Sequence, residues 1–152
     1  MLKKHRNYLI YLLSRREYSC LELSNKLQKR ELSESDIKFL LDDAKKNNWQ
    51  SDRRVAESIM RIQLAKFRGK NKVIQAMHPK GISSDLISEV FAEFNADWFE
   101  LAIKNYQKKY SIDSDLSEEL TFLEKQKRSK YLAAQGFSYD EAINAINRVS
   151  CE

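Results

Sequence analysis

The chain has 152 residues, 42% of them apolar and 32% charged, with a net charge of +5. That length suits one compact domain or a short array of small ones, and no run of about 18 apolar residues offers a transmembrane helix. The two histidines, His5 and His78, and the two cysteines, Cys20 and Cys151, form no metal-ligand or redox spacing, and a disulfide is less expected than reduced thiols in a cytoplasmic protein.

The opening segment, MLKKHRNYLIYLLSRRE, places basic residues before a short apolar run. The run ends in Ser-Arg-Arg-Glu without a small-residue cleavage site, so it reads as an amphipathic helix and not a signal peptide. Further on, apolar residues recur at i, i+3, i+4 spacing, as in Ile87, Val90, Phe91 and Phe94, or Ala142, Ile143, Ala145, Ile146 and Val149. This period predicts helices over 5–14, 19–30, 34–48, 52–68, 70–78, 84–95, 97–110, 115–125, 127–135 and 139–149. No strand is predicted, and one proline with three glycines leaves little room for hairpin turns.

One pattern occurs three times. Lys26–Ile37, Ala76–Ile87 and Tyr131–Ala142 each give a large apolar residue (Leu27, Met77, Leu132), four residues, then a second apolar residue (Leu32, Ile82, Phe137) and a serine. The serines, Ser33, Ser83 and Ser138, lie fifty and fifty-five residues apart, a period typical of modular arrays. A serine there can cap the helix it opens. Asp36 and Glu141, three residues on, suggest capping boxes, as do Ser19 and Glu22. Gly81 and Gly136 stand two residues before their serines, where a helix end favours a left-handed backbone. Glu31 takes that place in the first copy, so its turn is expected to be strained or differently shaped. Pro79 should end its helix at or before His78. The expectation is all-α, with three-helix repeats at 1–50, 51–105 and 106–152. Leu23, Leu27, Ile37, Leu41, Ile59, Ile74, Ile87, Val90, Phe91, Leu132, Phe137 and Ile146 are assigned to the core.

Charge is unevenly distributed. Residues 1–80 hold 19 basic and 9 acidic residues, a net of +10, and residues 81–152 hold 8 and 13, a net of −5. No acid occurs between residues 58 and 84, a stretch carrying Arg61, Lys66, Arg68, Lys70, Lys72 and Lys80. A soluble helix surface normally mixes in compensating acids, so the stretch suggests a surface for a polyanion. Gly69, in Arg68-Gly69-Lys70-Asn71-Lys72, could let a ligand approach the backbone, and a helix starting near Lys70 could offer N–H groups to a phosphate. Six cations meeting duplex phosphates would give a log–log salt slope of about −5. Tyr18 and Phe67 lie nearest basic residues among the aromatics that could stack on bases, although helix stapling is the commoner role. Arg15 and Arg16 are either contact residues or favourable charges at a helix C-terminus. Lys26 and Arg53 join the binding candidates, while Arg53 and Arg54 could equally pair with Asp42, Asp43 or Glu57. No phosphate loop, nucleophile elbow or zinc motif is present, which favours a binder over an enzyme.

From about Tyr8 to Val149 the chain resembles the RecX family. The resemblance rests on four blocks in order: Leu13-Ser14-Arg15-Arg16-Glu17-Tyr18-Ser19 with Glu22-Leu23 and Lys26-Leu27; Asp52, Arg53 and Ala56; Lys70 to Ile82 with Lys80-Gly81-Ile82; and Gly136-Phe137-Ser138. Departures are Glu31 for a frequent glycine, Met77 for a usual leucine, and Pro79. The resemblance implies three tandem three-helix repeats in an elongated, curved module. It implies a cytoplasmic monomer that binds the RecA recombinase, above all its filament on single-stranded DNA, and suppresses ATP hydrolysis, strand exchange and coprotease activity. Single- or double-stranded DNA alone would be bound weakly. No cofactor, metal, membrane or catalysis is implied. Two other readings are a general helical nucleic-acid-binding protein without a RecA role, and a helical-repeat adaptor for a protein partner.

Overall fold

A computed structural model describes residues 2–110 and 120–150. In chain order the helices are α1 (Leu2–Arg15), α2 (Cys20–Lys29), α3 (Glu34–Lys46), α4 (Asp52–Ala65), α5 (Lys70–Met77), α6 (Ser84–Phe94), α7 (Trp98–Lys109), α8 (Phe122–Ala134) and α9 (Tyr139–Ser150), with a 3₁₀ turn at His78–Lys80. The described residues contain no strand. The predicted helices over 115–125 and 127–135 are one helix where they are described. Gln126 lies inside α8, whose start is capped by Thr121 accepting from the Glu124 amide at 3.1 Å. Residues 115–119 lie outside the described residues.

The repeated pattern has a physical meaning. At the end of α2 the Glu31 amide donates to Gln28 O (2.9 Å) and the Leu32 amide to Leu27 O (3.4 Å). At the end of α8 the Gly136 amide donates to Ala133 O (3.0 Å) and the Phe137 amide to Leu132 O (3.1 Å). Each is a Schellman closure, in which the two apolar residues of the pattern meet across the turn. The serine that follows caps the next helix: Ser33, Ser83 and Ser138 accept the amides of Asp36, Leu86 and Glu141, each at 3.2 Å. Glu141 returns the bond to the Ser138 amide at 2.8 Å, and Glu22 does so to Ser19 at 2.9 Å. In the middle copy Pro79 supplies no N–H, so α5 stops at Met77 and the chain closes through the 3₁₀ turn to Gly81.

The residue two before each serine has a left-handed backbone: φ is 64° at Glu31, 74° at Gly81 and 103° at Gly136. Glu31 therefore holds a glycine conformation with a side chain that disfavours it. Glu31→Gly should stabilise the protein by a net of about 0.5–1 kcal/mol, after allowing for the extra freedom of glycine in the unfolded chain. Thermal denaturation should show a rise of roughly 2–4 °C; an unchanged or lower Tm would contradict a strained turn.

The chain groups into two compact units. The first comprises Met1–Ser58 and Met77–Ala92. In it α1, α2 and α3 enclose Leu9, Leu12, Leu23, Leu27, Ile37, Leu40 and Leu41, with Tyr18 at the edge. The second comprises Ile59–Ala76 and Glu93–Glu152. There α7, α8 and α9 enclose Ala102, Ile103, Tyr106, Leu132, Phe137, Ala142, Ala145 and Ile146. Of the core assignments, Ile59, Ile74, Ile87 and Phe91 are only half-buried.

Candidate interaction surface

In the first unit, sequence blocks that are far apart converge on the turn between α1 and α2. Ser19 caps α2 and is fully buried. Glu22, one turn later, receives Lys80 Nζ at 2.8 Å and Arg16 Nη2 at 3.1 Å on the same carboxylate oxygen, while its other oxygen takes the Ser19 amide at 2.9 Å. Partial burial pushes the Glu22 carboxyl up, but these hydrogen bonds outweigh it and hold it at about 2. Lys80 reaches Glu22 because Gly81 lies against α2. A Cβ at Gly81 would stand 2.9 Å from Leu21 Cβ. Asp52 Oδ1 accepts the Cys20 amide and Gln50 Nε2, both at 2.8 Å. Arg54 Nε meets Glu17 at 2.7 Å, and its other nitrogen reaches Asn48 O (2.8 Å) and Trp49 O (3.0 Å).

Tyr18 is buried, with the Arg16 guanidinium 3.6 Å from its ring centre and Lys26 Nζ 5.7 Å away. Its ring face is covered, which fits a packing role better than base stacking. Tyr8 is covered in the same way by Arg30 at 3.6 Å, and Trp49 by Arg6 at 4.9 Å. Arg15 is exposed, with Nη1 3.2 Å from the hydroxyl of Tyr11 one turn earlier on the same helix. Arg53 pairs with Glu57 (3.4 Å) and Glu89 (3.3 Å). Asp42 and Asp43 are paired elsewhere, with Lys38 and Arg6.

Arg61, Lys66, Arg68, Lys70 and Lys72 belong to the second unit. Arg61, Lys66 and Lys70 are exposed, and Arg68 and Lys72 half-buried. Arg68 donates to Gln63 Oε1 at 3.3 Å. Among the described residues no ion pair is formed by Arg61, Lys66, Arg68 or Lys72, in contrast to Arg16, Arg53, Arg54 and Lys80. The acid-free stretch thus divides in two. Lys80 is part of a built ion cluster, whereas the residues up to Lys72 carry positive charge that no neighbour neutralises by an ion pair, apart from the separate case of Lys70.

The expected phosphate cradle at Gly69 is not open. The Gly69 amide donates to Gln135 O (2.9 Å) and the Asn71 amide to Gly136 O (3.0 Å), while Gly69 O takes the Lys72 and Val73 amides. The start of α5 is therefore closed by the Gly136 turn, and a Cβ at Gly69 would lie 2.4 Å from Gly136 C and O. Phe67 has φ 55°, and its carbonyl accepts Asn105 Nδ2 at 2.6 Å. Asn105, 4% exposed, also reaches Gln135 Oε1 at 3.2 Å. Glu22 and Asn105 were missed as candidates. The capping-box spacing pointed to Glu22, but nothing local signals the role of Asn105. Among the described residues no three His, Cys, Asp or Glu gather to hold a metal ion, and no helix is long and apolar enough to cross a membrane.

No protein-family model matches the chain. Individual proteins do. Regulatory protein RecX of Haemophilus influenzae (strain PittEE) is 39% identical over 147 residues, covering 96% of this chain and 95% of the relative. The chain belongs to the RecX family. RecX of Acinetobacter baylyi is 34% identical over 149 residues, with 98% and 90% covered. The crystal structure of RecX from Lactobacillus salivarius matches 99% of this chain and 97% of its own with a TM-score of 0.82 at 20% identity; that likeness shows the fold. Residues from three of the four RecX-like blocks meet within the first unit, where Arg16, Ser19, Glu22, Asp52 and Lys80 bind one turn or one another; Gly136-Phe137-Ser138 lies in the second unit.

Proposed function

We propose that this RecX-family protein regulates the RecA recombinase by binding its filament on single-stranded DNA and suppressing ATP hydrolysis, strand exchange and coprotease activity. The observation that carries the reading is the full-length likeness to proteins named regulatory protein RecX. The mechanism is occupancy. A module of three repeats, 1–50, 51–105 and 106–152, restrains the rearrangements that hydrolysis and exchange need; the recurrence of the serine-capped joint supports that division. It acts in the cytoplasm as a monomer, without cofactor or chemistry of its own, and binds naked DNA weakly. Arg61, Lys66, Arg68 and Lys72 face filament DNA in this reading, because cations without ion pairs release counterions from phosphate at the least cost in broken internal contacts, and Lys70 joins them as an exposed cation of the same stretch. Arg16 and Lys80, engaged by Glu22, and the buried Tyr18 hold the first unit together; Arg15, Lys26 and Arg53 sit beside that cluster or on its unit and meet protein.

The test is filament binding by fluorescence anisotropy at fixed salt. The variant Arg61→Glu, Lys66→Glu, Lys70→Glu changes three exposed residues and should weaken binding at least about tenfold and flatten the salt slope. A control with Lys3→Glu, Lys4→Glu, Lys46→Glu should bind nearly as the parent does. Equal losses in both would remove the assignment of the DNA-facing stretch. Equal affinity of the parent for naked DNA and for the filament would favour a general nucleic-acid binder.

A further inference from the structure

A second surface lies in the second unit, away from the acid-free stretch in sequence. Between α8 and α9 is a cavity of about 430 Å³ lined by Phe122, Lys125, Gln126, Ser129, Lys130, Tyr139 and Ile143. Phe122 and Tyr139 are 73% and 72% exposed, and Leu123 beside them is 75% exposed. Isolated exposed apolar side chains need no explanation, but two exposed rings that line one cavity make a patch that marks an interaction site. Its charge has one sign. Lys125 and Lys130 line the cavity, exposed and without ion pairs among the described residues. Of the nearby acids, Glu124 binds Arg128 at 2.9 Å and Glu141 closes the Ser138 capping box at 2.8 Å, while Asp140, exposed next to Tyr139, does not line the cavity. Among the described residues no acid lines the cavity.

We propose that the α8–α9 groove is a docking site for an acidic peptide segment of a protein partner that carries one large apolar or aromatic anchor. The half-buried Ile143 and the rings of Phe122 and Tyr139 receive the anchor, while Lys125 and Lys130 pair with carboxylates on either side of it. A cavity with an apolar floor suits an inserted side chain; bases of single-stranded nucleic acid stack on flat exposed rings along a charged track. The site stands apart from the RecA reading, since its test uses neither RecA nor DNA filament.

The experiment follows backbone amide shifts and anisotropy of the full chain with synthetic peptides. The first peptide alternates Asp and Glu around a central Trp, the second replaces that Trp by Ala, and the third replaces the acids by Lys. The first should shift amides of 122–130 and 139–143, and the other two should bind at least about tenfold more weakly. Phe122→Ser with Tyr139→Ser, and separately Lys125→Glu with Lys130→Glu, should each weaken the first peptide about tenfold. All four side chains are exposed, so an unchanged Tm shows that the fold is retained. Equal binding of the lysine peptide, equal shifts with oligothymidylate, concentration-dependent shifts without any peptide, or no shifts in the groove would each overturn the proposal, the second in favour of nucleic acid and the third in favour of a second copy of the chain.

Discussion

Gly69→Ala is expected to destabilise the protein by about 3 kcal/mol, lowering Tm by roughly 10 °C. The new Cβ would stand 2.4 Å from Gly136 C and O and 2.6 Å from the Phe137 amide nitrogen. Those are backbone atoms held by the closure of α8, so neither side can give way cheaply. Two hydrogen bonds cross the same contact, from Gly69 to Gln135 O and from Asn71 to Gly136 O, and both would lengthen. Gly81→Ala is the instructive comparison. Its Cβ meets Leu21 side-chain atoms at 2.9–3.0 Å, and its φ of 74° adds a left-handed cost. Rotation can move Leu21 Cδ2 but not its Cβ, so a small shift of the turn against α2 is also needed, and the loss there should be about 1–2 kcal/mol. Thermal melts of the two variants, followed by circular dichroism, check the order. A Gly69→Ala protein that melts within about 2 °C of the parent would contradict the contact.

Glu22→Ala should cost about 2–3 kcal/mol. It removes one half of the α2 capping box and the carboxylate that both Lys80 and Arg16 use. The pH dependence is more diagnostic. The Glu22 carboxyl lies at about 2 in the folded protein against an ordinary 4.5. Below 4.5 the unfolded chain therefore binds more protons at this position than the folded one. The stabilisation is complete above about pH 4.5 and is lost as pH falls toward 2. With Arg16 and Lys80 50% and 36% exposed, solvent screening leaves roughly 1–2 kcal/mol of this dependence. Glu22→Gln keeps an oxygen for the Ser19 amide but should flatten the loss between pH 4.5 and 2 by that amount. Parallel stability–pH curves for parent and Glu22→Gln in urea would contradict the assignment.

Local signals in the chain carried the helical architecture well. Capping serines, the left-handed positions before them and Pro79 are all nearest-neighbour effects, and Ser19, Ser83, Ser138, Glu31 and Pro79 behave as their spacing implies; Ser33 caps its helix, but the shorter Asp36 side chain does not return the bond that a capping box needs. The break expected near 126 failed because Lys, Gln and Arg on α8 are all strong helix formers and nothing there stops a helix. Long-range pairing was less legible. Arg53 meets Glu57 as the spacing implies, but its other partner Glu89 and Arg54's partner Glu17 become neighbours only through tertiary packing. Gly69 was read as room for a ligand, yet another stretch of backbone fills it. The same holds for Tyr18. Its closeness to basic residues suggested a base platform, and those cations cover its ring instead. Composition located the positive charge; only the fold separates the cations held by carboxylates from those that form no ion pair among the described residues.

The decisive measurement is ATP hydrolysis by RecA on single-stranded DNA, with this protein titrated from far below to equal the RecA concentration at fixed salt. The account predicts progressive inhibition that the Arg61→Glu, Lys66→Glu, Lys70→Glu variant loses while keeping the parent Tm. Unchanged hydrolysis across the whole titration, from a folded protein that still binds naked nucleic acid, would contradict it.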